Sequence, residues 1–429
     1  MGTILKGGTV IELEPACAEV VDLRVEGGYI VERGAGLVPQ PGDEVLDFSR
    51  KWVMPGLVCA HHHLYSTLAR GMPPPTERPQ DFQQVLERVW WKLDQALDLD
   101  LVQVSATLGA LDALACGTTT VFDHHASPKA IAGSLVRVAR GVNDVGLRGV
   151  LCYEVTDRLG AVGREDGLAE TVSFQKKARG RFRGMVGAHA SFTLSREALD
   201  GLRHACEGTG TGLHIHLVED PVDERLSRER YDEAPVARLA EAGLLTPKSV
   251  VAHVVHLSWP ELSQVIASGA WLVHNPRSNM NNQVGYAPAG KFGARAMLGT
   301  DGIGADMFSE AQIAHFRALE AGQPIDVLKY LTNGQRLATE AFGEPVGPMR
   351  PGACADLVVL DYKSPTPVSA GNLAGHFLYG LSARHVESVM VDGMWRLWNR
   401  RALSADADVV AEQARQSSQV LWARLAEAA

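Results

Sequence analysis

The sequence predicts an α/β fold: a (β/α)8 TIM barrel carrying a small β-sandwich domain formed from both chain ends. Three observations predict it. Through the middle of the 429-residue chain, eight short apolar runs alternate with helical patterns, as parallel β/α units do. Most of those runs finish in His, Asp or Glu, and in a parallel barrel all C-terminal strand ends open on one mouth. Runs rich in β-branched residues, broken by glycine turns, return at both ends of the chain. The length suits one large barrel plus a minor domain.

Residues 1–54 hold TILKGGTVIEL, VVDLRVEGGYIVE and EVLDFSRKWVM, which read as hairpins and supply the N-terminal part of the sandwich. The barrel is expected over 55–350. Its first strand lies in GLVCAHHH, followed by the helical PQDFQQVLERVWWKLDQAL and DLVQVSATLGALDALACG. TTTVFDHH precedes a helix expected from Pro128, RGVLCYEVTD one near Glu165, and FRGMVGAHASF one from Ser195. GLHIHLVED, SVVAHVVHL, AWLVHNPRSN and RAMLGTDGI complete the eight. Residues 351–404, with ADLVVLDYKSPTPV and HVESVMVDGMWRLWNRR, supply the rest of the sandwich. The segment 405–429 has helical periodicity and is expected to pack back onto the body.

Composition excludes several functions. With 46% apolar and 21% charged residues the chain is globular, not disordered. Its 41 basic and 50 acidic residues give a net charge of −9 with no concentrated basic face, so nucleic acid is not an expected partner. RLSRERYDE (225–233) mixes both signs and reads as a solvated loop, and WRLWNRR as an exposed turn. Six scattered cysteines without a CxxC pair fit a reducing compartment. The N-terminus lacks signal-peptide texture and no apolar run is long enough to span a bilayer, so a cytoplasmic location without membrane contact is expected.

The ionisable strand ends are His61/His63, Asp123/His124/His125, Glu154/Asp157, His189, His216/Glu219, His253, His274/Asn275 and Asp301. Such a set is costly to bury unless its members are paired or coordinate a metal. On a strand, residues i and i+2 share a face, so His61 and His63 of the triplet can chelate one ion while His62 points elsewhere. His216 and Asp301 stand at matching strand ends, although alternation leaves His214 as open as His216. Imidazole and carboxylate ligands suit Zn2+, with Fe2+ and Mn2+ as alternatives. A metal in such a site supplies hydroxide from water near neutral pH. Glu219 is then the candidate general acid/base and His253 the group that orients or polarises the hydroxide, with His256 a rival.

PGLVCAHHHLYS, GLHIHLVED, VVAHVVHLS and LGTDGIGADM, in this order and at these intervals, resemble the amidohydrolase superfamily, in particular its aminohydrolase and chlorohydrolase (cytosine/guanine deaminase-like) branch. WWKLDQAL, DHHASP, LVHNPRSNMNNQVGY and LGTDGIGADMF are similar to the SsnA-type aminohydrolases. The resemblance implies metal ligation by His61, His63, His216 and Asp301, picking the histidine three residues before Glu219. It implies catalysis by Glu219, His253 and Asp301, and the barrel-plus-sandwich fold. Binuclear relatives place a carboxylated lysine at the end of the fourth strand. Here that position lies in VGAHASF, with His189 and no lysine, so one divalent metal per chain is expected.

The expected reaction is hydrolytic deamination of a small aminated heterocycle such as a purine, oxopurine or pterin, in the manner of purine metabolism. Opening of a cyclic amide and hydrolytic dechlorination are alternatives on the same site. A histidine in the middle of HxH also occurs in oxidised-guanine deaminases, so His62 points to an oxopurine. Arg70, His125, His189 and Asn279 are candidate substrate contacts; for Arg70 a surface ion pair is an equal reading. Trp90 and Trp91 could stack on a planar base, but adjacent helix residues face different ways, so at least one is expected in ordinary core. A homodimer is expected, as in barrel enzymes of this branch.

Overall fold

A computed structural model describes residues 2–427. The barrel strands are Leu57–His62, Thr118–His125, Arg148–Val155, Val186–Ala190, Leu213–Leu217, Val250–His253, Trp271–His274 and Ala296–Leu298, hydrogen-bonded in that order. Neighbours run parallel, and a further parallel bridge, His62 to Asp301, closes the last strand onto the first. The closing contacts are backbone bonds from Thr300 and Asp301 N–H to the His61 carbonyl, at 2.9 and 3.0 Å. The ring therefore shuts at the residues on which the sequence argument rests. Every residue of the first three strands is buried, which is why they read as continuous apolar runs.

The two chain ends meet in one mixed nine-stranded sheet. Leu357–Leu360 pairs antiparallel with Trp52–Pro55, and Trp52–Pro55 pairs parallel with Thr3–Leu13. This continuous sheet wraps an apolar cluster that includes Leu5, Leu23, Ile30, Phe48, Leu357 and Met390, with Trp395 and Trp398 packed on it. Arg148, 2% exposed at the start of the third barrel strand, ties the sheet to the barrel through Asp356 (2.6 Å) and Asp392 (3.2 Å). The final helix, Ala407–Glu427, returns to the barrel: Trp422 Nε1 donates to the Leu68 carbonyl at 3.1 Å and Arg424 reaches Asp98 at 2.7 Å.

Three local expectations are corrected. RLSRERYDE belongs to the helix Pro221–Tyr231, because Asp220 caps its N-terminus, Pro221 starts it, and Arg225–Glu229 and Arg228–Glu224 pair one turn apart. WRLWNRR forms a hairpin, Met394–Trp398 with Arg401–Ala402, because both tryptophans pack on Phe48 at 5.9 and 6.1 Å between ring centroids. The helix expected from Pro128 starts at Ser134, where Glu170 accepts from the Gly133 and Leu135 amides. No helix among the described residues is long and apolar enough to cross a membrane.

Candidate active site

Three barrel-strand ends bring His61 and His63, His216, and Asp301 together, each with a ligand atom within 4.8 Å of the others. Their rings and carboxylate are buried at 0–8% exposure. Asp301 Oδ1 lies 2.8 Å from His63 Nε2 and 3.4 Å from His61 Nε2. His63 Nε2 and His216 Nε2 face one another at 3.2 Å.

The protonation pattern tests whether these residues fit a cation. His63 Nδ1 donates to the His124 carbonyl at 2.5 Å and His216 Nδ1 to the His189 carbonyl at 2.8 Å. A carbonyl only accepts, so both Nδ1 atoms carry a proton and both rings turn Nε2 inward; burial lowers the His63 pKa, but the Asp301 carboxylate beside it raises it to about 9. The two Nε2 atoms lie 3.2 Å apart beside a carboxylate, so one positive charge, a proton or a metal ion, fits between them. His61 Nε2 is likewise buried and without a partner. Three imidazole nitrogens and one carboxylate oxygen are a donor set that suits zinc. The carbonyl bonds behind the rings are the outer contacts that orient such ligands.

His214, which alternation could not separate from His216, lies behind the cluster: its Nε2 bonds His61 Nδ1 at 2.9 Å. His62 turns to the Thr300 hydroxyl at 2.9 Å, and burial lowers its pKa to about 3. His253 is buried beside Glu219 (Nε2 to Oε2, 3.5 Å), whereas its rival His256 is exposed and bonds the Val284 carbonyl. Ser278 Oγ donates to Asp301 Oδ2.

Backbone geometry marks the same positions. Val218, His253, Val254 and Asp301 all have positive φ (46°, 72°, 53° and 52°), a region costly for side chains with a Cβ. Each sits where a barrel strand ends and its chain turns at the mouth. Strain of that kind persists only where surrounding structure enforces it, and it gathers at functional sites.

Glu219 is buried and its carboxyl is held well above the usual range, by burial first and then by the nearby Asp301 charge. Burial alone would also raise Asp301, but the His63 and His61 imidazoles beside it hold it well below. Two carboxyl groups at one site are thus driven apart, Glu219 toward the protonated form and Asp301 toward the ionised one.

A pocket opens above the cluster, lined by His63, His216, Glu219 and Asp301 on one side. Phe82, Leu86, Trp90 and Trp91 of the segment 82–96 form the opposite wall. Both tryptophans line it, against the expectation that at least one would be core. A π-helical stretch, Leu86–Trp90, shifts the helix phase there.

Of the four candidate substrate contacts, His189 lines the pocket, its Nδ1 bonded to Thr193 Oγ1 at 3.0 Å. His125 is turned to the other face of its strand and bonds Ser127 Oγ at 2.9 Å. Asn279 lies behind His253, its Oδ1 accepting from Nδ1 at 2.9 Å. Arg70 is largely exposed in an ion pair with Asp112 at 2.5 Å, in a neighbouring cleft bounded by Trp90 and Asp301.

Three residues at the site escaped the sequence reading as functional candidates. Asn282 Nδ2 donates to Glu219 Oε1 at 3.2 Å, within the NMNN run. Asp94 lines the pocket from WWKLD. His124 packs against the ligand rings, with centroids 4.7 Å from His216 and 5.5 Å from His63. Period-two alternation in TTTVFDHH was the available signal: it puts His124 on the face opposite Asp123 and His125.

Residues 52–396 match the model of the amidohydrolase family. A 5′-deoxyadenosine deaminase of Methanosarcina mazei is 30% identical over 447 residues, covering 98% of this chain and 99% of that protein. A 5-methylthioadenosine/S-adenosylhomocysteine deaminase of Desulforudis audaxviator is 31% identical and covers 93% and 94%. The crystal structure of an adenosine deaminase from Xanthomonas campestris with bound zinc superposes with a TM-score of 0.86 over 98% of both chains. At 22% identity that likeness speaks for the fold.

Proposed function

The chain belongs to the amidohydrolase family, in its aminohydrolase branch, and from that premise we propose a metal-dependent hydrolytic deaminase of an aminated purine-type ring, with release of ammonia. The nucleoside substrates named for its relatives make an adenosine-type compound the first candidate. The observation that carries the reading is the pair of inward Nε2 atoms of His63 and His216, clustered with His61 Nε2 and the Asp301 carboxylate and within reach of Glu219.

His61, His63, His216 and Asp301 would hold one divalent ion, zinc by donor set. A bound divalent ion acts as a Lewis acid and makes hydroxide available from water at neutral pH. His253 is fixed by Asn279 with its proton on Nδ1, so its Nε2 lone pair accepts from and orients the attacking water. Glu219, entering protonated, gives its proton to the ring nitrogen adjacent to the amine-bearing carbon. As a carboxylate it takes one proton from the attacking water and passes it to the leaving amine, and the second water proton restores its acid form as the carbonyl forms and ammonia leaves. Asn282 positions the Glu219 carboxyl for both transfers. Trp90, Trp91 and Phe82 supply flat apolar surface and exclude water.

The domain division at 54, 350 and 404, the cytoplasmic location and the homodimer are part of the same proposal. Six unpaired cysteines support a reducing compartment, and exposed Phe316, Leu319 and Tyr379 are apolar surface a second copy could cover. Light scattering should return about twice the 46.2 kDa chain mass.

The test is zinc-loaded protein offered 5′-deoxyadenosine, adenosine, adenine, guanine, oxidised purines and pterins, with ammonia and product spectra followed together. Ammonia release with the ring intact is expected from at least one of them. Ring opening without ammonia, or no turnover of any compound, would sink the reading.

A further inference from the structure

The pocket is lined by a buried carboxylate, Glu154, that the deamination steps do not use. Glu154, at the end of the third barrel strand, is 4% exposed and lines the pocket beside His189. Cationic or ring groups flank both of its oxygens. Arg158 donates to Oε1 in one long hydrogen bond of 3.4 Å, and His124 Nδ1 stands 3.3 Å from Oε2, out of line for a hydrogen bond. Arg158 is itself committed more tightly to Asp94, at 2.8 Å, with its guanidinium 4.9 Å from the Trp91 ring.

Glu219 offers the contrast. It lies two strands away beside the Asp301 charge and has a neutral amide as its donor, which favours the protonated form. Glu154 has Arg158 on one side and imidazoles on the other. Burial would raise its pKa, but His189, His124 and Arg158 hold it well below the usual range. An ionised carboxylate is acceptor-only and can take about four hydrogen bonds. With one long hydrogen bond from Arg158 and one imidazole contact from His124, it keeps acceptor positions free, and the pocket side is where further donors can meet them.

We infer that Glu154 is a specificity-determining residue that accepts an N–H or O–H from the substrate, on a wall of the pocket separate from the reacting amine. The inference rests on the proposed deamination for its substrate and adds the requirement for a donor. A free base meets it with a ring N–H, and a nucleoside with a sugar hydroxyl. A ring that turns a bare nitrogen or a carbonyl to this wall meets a buried negative charge and is rejected.

The experiment compares matched pairs on the zinc-loaded wild type: adenosine against 2′,3′-dideoxyadenosine, and guanine against 9-methylguanine. Ammonia release gives kcat/KM, and quenching of pocket tryptophan fluorescence gives Kd independently of turnover. In at least one pair the donor-bearing member should be favoured about 100-fold. The responding pair identifies the donor as sugar hydroxyl or ring N–H. Glu154→Gln should bring that ratio to within about threefold while zinc content is unchanged; a merely structural residue would depress both members equally. Ratios near one in both pairs, by both readouts, overturn the inference, as does a Glu154→Gln enzyme that keeps the wild-type ratio. Discrimination in Kd without ammonia from any compound would sink the deaminase reading and leave the role of Glu154 standing.

Discussion

The floor of the barrel and its mouth both bury charge, and they treat it in opposite ways. At the floor, Arg148 is met on both sides by Asp356 and Asp392, and Asp356 also accepts from the Asp392 amide at 2.7 Å. At the mouth, His61 Nε2, His253 Nε2, His124 Nδ1 and Asp123 Oδ2 are buried without a hydrogen-bond partner. Folding requires buried polar groups to be matched. For Arg148 the chain completes that matching itself, whereas these four mouth atoms are left open, side by side around one pocket. Open polar atoms gathered at one end of a barrel point to function; a fully paired buried cation points to assembly.

Substitutions at the two ends should therefore fail differently. The largest effect is expected for His63→Ala: loss of bound zinc together with at least about a thousandfold loss in kcat/KM, read by metal analysis and ammonia release on the same sample. Retention of full activity without zinc would break the contrast. Next comes Glu219→Gln, for which kcat should fall about 100- to 10,000-fold while zinc content and folding are kept. Arg148→Met tests the floor. It leaves Asp356 buried without its cation, so unfolding free energy should drop by about 3–5 kcal/mol, with activity per folded molecule unchanged. Denaturant titration alongside specific activity checks it; a normal stability with damaged activity would reverse the assignment of the two ends. The smallest effect is expected for Asn279→Ala, which frees the His253 ring without removing it. It should reduce kcat about tenfold, with KM and zinc content little changed.

Much of the site was legible from spacing. His61 and His63 separate from His62 because side chains alternate along a strand, and the structure sends His62 to Thr300. His189 and Glu219 were legible as ionisable ends of apolar runs. The remaining candidates show where the reasoning stopped. His125 and Asn279 belong to the right strand ends but on the wrong side of them: one bonds Ser127, the other supports His253. Arg70 follows the first strand closely, yet its long chain reaches Asp112 at the surface. The tryptophans were misjudged because a π-helical stretch, invisible in an apolar pattern, shifts the phase that ordinary helix geometry assumes. WRLWNRR looked like a turn because its tryptophans find their partner, Phe48, some 350 residues earlier in the chain.

The sequence by itself determined the barrel, the union of both ends in one small β-domain, and a mouth lined with ionisable groups, because strand periodicity and the cost of burying charge are local properties of the chain. That the β-domain is one continuous sheet was set by the pairing of strands from opposite ends. Tertiary structure alone decided which groups act together. His214 and His216 lie on the same face of one strand, and two residues of depth in the barrel make one a support for His61 and the other a member of the cluster with His61, His63 and Asp301. Glu154 and Glu219 are the same side chain at equivalent strand ends, and their neighbours give them opposite charge states. Depth and neighbourhood are set by strands far apart in sequence, so no local pattern encodes them.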